Sequence, residues 1–387
     1  MAMQTPPKVA LLVETSNAYA RELLRGINSY VREHQHWSLF LSEHGRGEVV
    51  PPWLQDWDGQ GIIARVENEQ IARAILATRL PAVDVSFGLE HSPFPRVVTD
   101  SLETTRMAAE HLLERGFKVF GYCGDNRYHW SRLRSGMFES QVRRAGYKCH
   151  IFQSPPKSPG RGDPWEREVD AIARWLQRLP KPVGVMACYD VRGLQVLEAC
   201  RRAGLQVPDE IGVIGVHNDD LLCELCEPPL SSVIPNARRA GYEAAGLLDR
   251  MMRGEKIPPQ RVLIAPVGIA TRQSTDVVAV DDPQFARVMR FIRDHACEGI
   301  TVDDVLKAVP MSRKVLERRF KTVLKRTPHD QIMRVRIEHA KNLLVTTDLP
   351  LAVIADRCGF EHSDYFSVAF KRLVGEPPGS YRERNKC

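Results

Sequence analysis

Two stretches near the C-terminus, Ser312-Arg-Lys-Val-Leu-Glu-Arg-Arg-Phe-Lys321 and His362-Ser-Asp-Tyr-Phe-Ser-Val-Ala-Phe-Lys371, align at an offset of 50 residues. The aligned positions share apolar side chains at the spacing i, i+4, i+7 of one helix face: Leu316, Phe320 and Val323 in the first stretch, Phe366, Phe370 and Leu373 in the second. Because both stretches repeat one pattern, we predict two copies of the same helical unit, each with one buried face.

Each stretch follows a shorter helical pattern, at 302–308 in the first copy and at 351–358 in the second. Tight connections join the two helices of each copy, Val309-Pro310-Met311 and Cys358-Gly359-Phe360. A short helix, a tight turn and a longer helix form the helix-turn-helix unit, whose second helix enters the major groove of DNA. From Phe285 onward we find no strand pattern, so this region is predicted to be all helical.

The longer helix of the first copy carries charged side chains on the face opposite the apolar one. They lie at i, i+1, i+4, i+5 and i+8 and project together: Arg313, Lys314, Glu317, Arg318 and Lys321. Arg318 can donate two hydrogen bonds to guanine, Glu317 can accept one from the cytosine amine, and Lys321 can bind a phosphate. A solvated basic helix without a partner is the alternative that this pattern leaves open.

The longer helix of the second copy is less cationic. Its predicted exposed side contains Ser363, Asp364, Tyr365, Ser367 and Val368, with Lys371 and Arg372 near its end. We therefore expect this helix to read bases weakly. The pattern at 328–346 joins the copies, and its roughly 17 helical residues would span about 25 Å, near the ~34 Å of one DNA turn once the offset of the recognition helices is added. One chain can thus occupy two successive major grooves.

Positive charge is concentrated in the same C-terminal region. From Gln284 onward there are 20 Lys/Arg against 13 Asp/Glu, whereas the rest of the chain has 34 against 35. A basic segment beside a neutral one suggests that only the basic segment binds a polyanion, although a basic solvated surface would give the same count. Together with the repeat, this charge predicts a DNA-binding domain at 284–387 with operator or promoter DNA as its partner.

Residues 8–276 alternate between short apolar runs and amphipathic stretches. The runs are typical of buried strands and lie at 9–13, 61–64, 82–86, 119–123, 183–188 and 211–216. The amphipathic stretches have the length of crossover helices and lie at 21–32, 102–115, 132–145, 165–179, 191–203 and 237–253. This alternation predicts an α/β fold with parallel, doubly wound sheets.

So many elements exceed what one sheet usually holds, which suggests two lobes. Val97-Val-Thr-Asp100, after the Pro-rich 93–95, is predicted to cross from the first lobe into the second. We therefore expect two α/β lobes with a cleft between them at 8–276. The Pro/Gly-rich 154–164 is predicted to be a surface loop, and 277–283 a short linker that Pro283 stiffens.

The composition is that of an ordinary globular protein with several domains: 387 residues, 43% hydrophobic and 26% charged. No stretch approaches the ~20 apolar residues of a membrane span, and the N-terminus lacks the features of a signal peptide. Nine cysteines spread along the chain do not form the dense, even framework of a secreted disulfide protein. We expect a cytoplasmic protein without a membrane partner.

Polar and aromatic side chains follow the predicted strands, at the edge where open α/β sheets bind ligands. A neutral sugar needs paired donors and acceptors for its hydroxyl groups and an apolar plate for its C–H face. The candidate ligand-binding residues are Tyr19, Arg21, Asp100, Trp130, Arg134, Asp190, Asn218 and Asp219, while Ser16, Asn17, Arg192 and His217 lie at the same strand ends. Several of them have a structural alternative, because Asp100, Asp190 and Asn218 could cap helices and Arg134 could pair on its own helix.

The remaining motifs do not support a catalytic, redox or metal site. Cys223-Glu-Leu-Cys226 has the spacing of a redox or metal pair, but no second pair follows it. The chain lacks H-E-x-x-H, G-x-S-x-G, a P-loop, and G-x-G-x-x-G after the first strand. We therefore expect no metal, no cofactor and no catalytic residue. A sugar-binding protein without DNA function and an α/β enzyme acting on a sugar remain as alternatives.

Residues 285–384 resemble the AraC-type DNA-binding domain. The resemblance rests on Ala355-Asp-Arg-Cys-Gly-Phe360, Tyr365-Phe366, Phe370-Lys371 and the closing Pro377-Pro-Gly-Ser-Tyr-Arg382. The chain departs from that family at Pro310, where the first turn often has Gly, and at Val368, where many members place Arg. The resemblance implies a transcription regulator with two helix-turn-helix units.

Residues 8–275 resemble the effector domain of LacI-family repressors, which is itself similar to periplasmic sugar-binding proteins. The matching segments are Val98-Thr-Asp100, 134–138, Ile211-Gly-Val-Ile-Gly-Val-His-Asn-Asp219, Pro228-Pro-Leu-Ser-Ser-Val233 and Arg272-Gln-Ser-Thr275. His217 stands where that family usually has Asp, and Met137 where it has Gly. The resemblance implies a two-lobed sugar sensor.

A LacI-like sensor followed by an AraC-like reader is the domain order of the xylose operon regulators, a group that the chain resembles throughout its length. The resemblance implies an activator of sugar-catabolic genes that is gated by xylose or another pentose. It also implies a homodimer formed through the effector domain, and RNA polymerase as a further partner.

Overall fold

The computed structural model of the chain describes residues 6–34, 37–42, 50–152, 154, 164–276, 282–324 and 326–385. Two α/β lobes, together called the two-lobed domain, precede a helical domain. This is the architecture that the strand-helix alternation and the C-terminal repeat predict. Within these ranges, no helix has both the length and the apolar character needed to span a bilayer.

The first lobe is a six-stranded parallel sheet with helices on both faces. Its strands are Lys8–Leu12 (β1), Ser38–Leu41 (β2), Gly61–Ala64 (β3), Ala82–Asp84 (β4), Arg96–Thr99 (β5) and, later in the chain, Arg261–Ile264 (β11). Their spatial order is β11-β5-β4-β3-β1-β2. Ala18–His34 (α1) and Ala237–Met252 (α8) cover one face, and Glu69–Thr78 (α2) covers the other.

The second lobe repeats this plan. Its strands are Val119–Cys123 (β6), Lys148–Phe152 (β7), Val183–Ala187 (β8), Ile211–Val216 (β9), Ser231–Ile234 (β10) and Gly268–Ala270 (β12). They are ordered β12-β10-β9-β8-β6-β7, with β12 antiparallel to its neighbour. The helices are Ser101–Glu114 (α3), His129–Arg144 (α4), Pro164–Arg178 (α5), Asp190–Ala203 (α6) and Asp220–Leu225 (α7).

The chain passes between the lobes three times, from β5 to α3, from β10 to α8 and from β11 to β12. The first passage is the one predicted at 97–100. Lobes that are joined by a few such connections can open and close around a ligand by hinge motion.

Some elements were not predicted from sequence. In the two lobes these are β2, β5, β7, β10, β11 and β12 together with α2 and α7. Most of them are short, and several are edge strands, which lack the continuous buried apolar run that predicts a strand. Strand β2 is exposed along its length, and β11 alternates between exposed and half-buried residues. Strand β4 ends at Asp84 rather than at residue 86. In the C-terminal region, which was predicted to be all helical, the helices Pro283–His295 and Pro378–Asn385 were not predicted individually.

The predicted loop 154–164 and linker 277–283 are described only at their ends. Residues 155–163 and 277–281 lie outside the described ranges. Pro283, which we placed in the linker, is instead the first residue of a helix, and Asp282 caps that helix by accepting a hydrogen bond from the Phe285 backbone at 3.1 Å.

Helices α1 and α8 approach each other closely because two glycines face the contact. A Cβ atom on Gly26 would lie 1.8 Å from the Arg238 carbonyl oxygen, and one on Gly241 would lie 2.0 Å from that of Leu23. Any side chain at either position would therefore force the helices apart. This packing sets the position of the α1 N-terminus, which faces the cleft.

The helical domain contains Pro283–His295 (α9), Val302–Ala308 (α10), Arg313–Leu324 (α11), Pro328–Thr346 (α12), Leu351–Arg357 (α13), Ser363–Val374 (α14) and Pro378–Asn385 (α15). It has two cores, one under each copy of the repeat, and α12 contributes to both. Arg336 of α12 donates hydrogen bonds to the carbonyls of Ala296 at 2.7 Å and Ile300 at 2.9 Å. This helix therefore fixes the spacing of the two copies.

The helical domain contacts the second lobe at a surface that we call the interdomain contact. Glu114, the last residue of α3, lies 3.0 Å from Arg334 and 3.7 Å from Arg326. The Tyr381 hydroxyl donates a hydrogen bond to the Val267 carbonyl at 3.0 Å. Because α3 begins at the first passage between the lobes, one helix connects that passage to the helical domain.

Candidate functional site

A cavity of about 250 Å³ lies between the lobes at the carboxyl ends of β1, β6, β8 and β9. Its wall contains Ser16, Asn17 and Ala18 from the first lobe and Tyr128, Tyr189, Asp190, Val191, His217, Asp219 and Leu222 from the second. Sheets of this kind bind ligands at this place because strand ends and helix N-termini converge there. None of the described residues of this wall is Lys or Arg, and two are aspartates, so the cavity disfavours an anionic ligand.

Asp190 is the most deeply buried acid of the wall, at 2% exposure. Its carboxylate accepts hydrogen bonds from the Ser232 hydroxyl at 2.6 Å and from the Asp219 backbone N–H at 2.8 Å. Burial has the largest effect and raises the pKa of Asp190 to about 7, although both hydrogen bonds act in the opposite direction. Asp190 therefore holds three strand ends together and exchanges its proton near neutral pH.

Aromatic rings form one side of the cavity. Trp130 stacks on Tyr128 with 5.1 Å between ring centroids and meets Tyr189 edge to face at 5.6 Å. The Arg134 guanidinium lies 5.2 Å from the centre of the Trp130 ring and donates a hydrogen bond to the Cys188 carbonyl at 2.8 Å. Tyr128 and Tyr189 belong to the wall itself, whereas Trp130, the ring that sequence reasoning identified, packs against both of them from outside the wall. The two tyrosines also follow strand ends, which is the signal that could have revealed them.

Two contacts cross the cleft. The Asp219 carboxylate accepts a hydrogen bond from the Ala18 backbone N–H at 3.1 Å and lies 3.8 Å from the Arg21 guanidinium. An acid at this place is favourable because α1 begins there and its N-terminus carries partial positive charge. The Tyr19 ring lies 5.1 Å from the His217 ring. The lobes therefore touch beside the cavity, with Asp219 joining them.

His217 and Asn218 form a turn with positive φ angles of 109° and 49°. For a side-chain-bearing residue such as His217 this backbone is strained, by about 1–3 kcal/mol. The turn brings His217 into the cavity wall, but it directs the Asn218 side chain away. The Asn218 amide accepts a hydrogen bond from Arg272 at 2.9 Å and donates one to Asp220 at 3.0 Å.

Asp100 also lies outside the cavity wall. Its carboxylate accepts hydrogen bonds from the backbone N–H groups of Leu102 at 2.9 Å and Glu103 at 3.0 Å, which is the capping geometry of a helix N-terminus. The sequence left open whether Asp100 binds a ligand or caps a helix, and these two bonds show capping. Asp100 therefore anchors α3 at the first passage between the lobes.

A buried ion pair behind the cavity was missed by sequence reasoning. Arg65, after β3, lies 2.5 Å from Glu14, after β1, and 2.8 Å from Glu67. The Asn17 side chain donates a hydrogen bond to Glu14 at 2.9 Å, and the Arg65 guanidinium lies 5.7 Å from the centre of the Tyr19 ring. The pair therefore positions two cleft residues. A charged residue directly after a buried apolar run is the sequence signal for both partners.

In the helical domain, α11 carries its charged face outward. Leu316, Phe320 and Leu324 are buried, whereas the exposed residues are Arg313, Lys314, Glu317, Arg318 and Lys321. Arg319 differs from its neighbours, because it turns inward and lies 3.0 Å from Asp282. The exposed face is therefore polar, basic and available to a partner.

Helix α14 presents a different face. Phe366, Ala369 and Phe370 are buried, whereas the exposed residues are Ser363, Asp364, Tyr365, Val368, Lys371 and Arg372. Ser367 is half-buried and donates a hydrogen bond to the Ser363 carbonyl at 3.1 Å. Leu373, which we assigned to the apolar face, is 40% exposed because the buried face drifts toward Val374.

The turns of the two copies are built differently. In the second turn, Gly359 has a φ of 74°, and a Cβ atom there would lie 2.7 Å from the Cys297 carbonyl oxygen. In the first turn, Pro310 is exposed and its carbonyl accepts a hydrogen bond from Gln284 of α9 at 2.9 Å. The first turn therefore does not need the glycine that the AraC resemblance led us to expect.

The cysteine pair is buried. Burial raises the pKa of Cys226 to about 11 and that of Cys223 further above the ordinary range. Thiols in this state stay protonated and react slowly. In the part of the chain that the structure describes, no three His, Cys, Asp or Glu side chains are grouped so as to hold a metal ion.

Three protein families match successive parts of the chain. Residues 8–101 match the family described as XylR N-terminal domain, residues 109–275 the periplasmic binding protein-like domain, and residues 305–384 a helix-turn-helix domain. The first two divide near the first passage between the lobes.

Individual relatives match over nearly the whole length. The xylose operon regulatory protein of Escherichia coli K12 is 34% identical over 386 residues, covering 98% of this chain and 97% of its own. That of Haemophilus influenzae is 30% identical over 385 residues, covering 97% and 98%. A solved structure of the xylose-binding transcription activator XylR has a TM-score of 0.64 and 32% identity, covering 99% of this chain and 100% of its own.

Proposed function

This chain belongs to the family of xylose operon regulatory proteins, and from that premise we propose a transcription regulator gated by D-xylose or another pentose. Sugar binding is assigned to residues 8–276, DNA binding to 284–387, and their connection to 277–283. One observation carries the proposal: a single chain combines an interlobe cavity of about 250 Å³ with two helices whose polar faces are exposed.

The cavity supports a small, uncharged sugar. Its volume lies below the roughly 300–1,000 Å³ of sites for drug-sized ligands. Asp190, Asp219 and Asn17 offer acceptors and donors for hydroxyl groups, and the rings of Tyr128 and Tyr189 offer an apolar surface for C–H groups. A sugar phosphate would lack a cation among the described wall residues.

The candidate ligand-binding residues divide by distance from the cavity. We assign direct sugar contacts to Asp190 and Asp219, the two candidates that lie in the wall. Tyr19 and Trp130 pack against the wall rings of His217 and Tyr128 respectively, with 5.1 Å between ring centroids in each pair, and support the aromatic side of the site. The others act on the shape of the site: Arg21 beside Asp219, Arg134 behind Trp130, Asn218 in the strained turn and Asp100 at the passage between the lobes.

On DNA, the helical domain is assigned two successive major grooves. Helix α12, with 19 residues, is about 28 Å long and separates the copies by nearly one DNA turn. Base and phosphate contacts are assigned to Arg313, Lys314, Glu317, Arg318 and Lys321 of α11 and to Ser363, Asp364, Tyr365 and Lys371 of α14. Activation in the cytoplasm through a homodimer and RNA polymerase completes the proposal. The relatives are named as regulators, and no catalysis or cofactor is assigned.

Sugar controls DNA binding through the interdomain contact. A ligand shifts two states only by its different affinity for each, so sugar must favour the closed lobes. Closure changes the passage at Asp100, and α3 transmits that change over about 20 Å to Glu114 and Arg334. Sugar thereby alters how the helical domain is held.

The sugar assignment is tested by thermal unfolding of the full chain with D-xylose, L-arabinose, D-ribose, D-glucose and D-xylose 5-phosphate. A pentose at 100 times its Kd stabilises the chain by about 2.7 kcal/mol. The phosphate serves as the matched control, because its extra charge finds no cation in the described wall. No shift with any pentose, or an equal shift with the phosphate, contradicts the assignment.

The DNA assignment is tested by footprinting the full chain on promoter DNA with and without the sugar that shifts its melting. We expect each bound chain to protect about two helical turns of DNA, with an affinity that changes when sugar is added. By linkage, that DNA must change sugar affinity by the same factor, which calorimetry measures. A footprint unaffected by sugar would leave a DNA-binding protein without the proposed gate, and no footprint would remove the DNA function.

A further inference from the structure

The repeat places Val368 at the position that Arg318 holds in the first copy, 50 residues earlier. Helices α11 and α14 each have 12 residues and begin at aligned positions. They also bury aligned residues, Leu316 with Phe366 and Phe320 with Phe370. Because the two helices pack through the same face, Arg318 and Val368 project in the same direction from their units.

The exposure of Val368 agrees with this placement. Its side chain is 66% exposed, more than Tyr365 at 48% one turn earlier. Single exposed apolar residues are common on protein surfaces and need no explanation by themselves. The position is what matters here, because the aligned residue of the other copy is an exposed arginine at the centre of the face assigned to bases.

We propose that Val368 recognises a thymine in the second major groove by contact with its 5-methyl group. This inference rests on the proposed DNA-binding function. Thymine alone among the four bases presents a methyl group in the major groove. Valine neither donates nor accepts hydrogen bonds, so it cannot pair with the polar edge of guanine or adenine. Opposite a cytosine amine it would leave a donor without a partner.

The rest of α14 fits a helix that recognises bases by shape more than by charge. Asp364 lies one turn before Val368 and carries negative charge, which opposes a phosphate at that place. Lys371 and Arg372 are the exposed cations of this helix and lie at its C-terminal end. Phosphate contact is therefore assigned to the end of α14, and base contact to its middle.

The test uses the full chain and its footprinted site, with each thymine of the second groove replaced in turn by deoxyuridine. Deoxyuridine lacks only the methyl group and keeps base pairing. We expect about fourfold weaker binding at one or two positions, the effect of one methyl group no longer buried. Thymines of the first groove serve as the control and should tolerate the replacement.

Val368→Ala identifies the partner of that methyl group. On thymine DNA the variant should bind several-fold more weakly than the parent, and its discrimination between thymine and deoxyuridine should be smaller than that of the parent. Val368→Thr keeps one methyl and should retain part of the discrimination. Because residue 368 is exposed, both variants should melt as the parent does, and a melting curve checks this.

A second substitution of the DNA tests the same contact in reverse. Replacing the sensitive T·A pair by C·G should weaken binding, and 5-methylation of that cytosine should restore part of the loss. Equal binding of the parent to thymine and deoxyuridine throughout the second groove overturns the proposal, as does an equal loss for Val368→Ala on both DNAs. Absence of any sequence-specific footprint would instead show that the DNA-binding function itself fails.

Discussion

The cleft and the repeat build their surfaces in opposite ways. The cleft wall joins residues from 16 to 222 in the sequence, buries its acid at 2% exposure, and has no Lys or Arg among its described members. The repeat presents exposed side chains from two helices of 12 residues each. The difference teaches that selectivity for a small neutral ligand depends on burial and on satisfied hydrogen bonds, whereas contact with a polyanion depends on exposed charge.

The largest expected difference between the two surfaces is in how salt concentration changes their affinity for ligand. Six exposed cations lie on α11 and α14, and six phosphate contacts correspond to a loss of roughly 10³-fold in DNA affinity between 50 and 200 mM salt. Sugar affinity should change little over the same range, because ligand and wall carry no opposing charges. Titrations of both ligands at four salt concentrations measure this. If DNA affinity and sugar affinity fall with the same slope against salt concentration, the proposed difference between the two surfaces is wrong.

Asp190→Ala should damage the cleft and leave the repeat intact. It deprives the Ser232 hydroxyl and the Asp219 N–H of their buried acceptor, which costs about 2–3 kcal/mol of stability, and sugar binding should fall about 100-fold or more. Calorimetry and denaturant unfolding measure both. Asp170→Ala is the control, because this exposed partner of Arg202 contributes about 0–1 kcal/mol. Equal effects of the two changes would show that Asp190 has no special part.

Arg318→Ala should reduce DNA discrimination by about 1–3 kcal/mol at one base pair. Lys321→Ala, one turn later on the same helix, should weaken specific and random DNA alike. Competition between the two DNAs separates these cases. If both variants lose specific and random binding equally, α11 acts through charge alone.

Asp190 should also make stability depend on pH. An unfolded aspartate titrates near ~3.9, whereas the pKa in the folded chain is raised to about 7, so the folded state binds the proton more tightly. This contribution is complete below about pH 4 and declines as pH rises to about 7, by at most about 1.4 kcal/mol per pH unit. Asp190→Asn should remove it. Identical pH dependence of unfolding in both proteins would contradict the raised pKa.

The smallest effect concerns the link between the surfaces. Glu114→Gln removes the charge facing Arg334 and should reduce the effect of sugar on DNA affinity by about threefold or less, since the pair is half exposed. Sugar binding alone should stay unchanged. Glu110→Gln, which breaks a pair with Arg106 of the same helix, is the control. An unaltered sugar response in Glu114→Gln would show that coupling takes another route.

The helical domain could be predicted from sequence almost completely, because helix periodicity is a local property. The pattern at 328–346 coincides with α12, and the exposed face of α11 follows from the spacing of Leu316 and Phe320. The pattern could not show that Leu373 leaves the buried face, since that depends on where the neighbouring helices end.

The cleft could be predicted only as a set of strand ends. Which side chain turns inward depends on partners far away in sequence: Asn218 is held by Arg272, 54 residues on, and Asp219 reaches Ala18, 201 residues back. The pair of Glu14 and Arg65 was missed for the same reason. Periodicity locates the edge of a sheet, but only tertiary contacts decide which residues form the wall.

The two copies joined by α12 differ in sequence, and this difference affects how the binding site must be oriented on the DNA. Identical helix-turn-helix subunits related by a twofold axis read palindromes, which look the same from either strand. A single chain with Arg318 in one copy and Val368 in the other has no such axis, so the stretch of DNA that one chain binds differs from its own reverse complement. Inverting this stretch of DNA on the chromosome would therefore invert the orientation of the chain bound to it. The order of the two helix-turn-helix units along the polypeptide thus determines the orientation of the bound chain on the DNA.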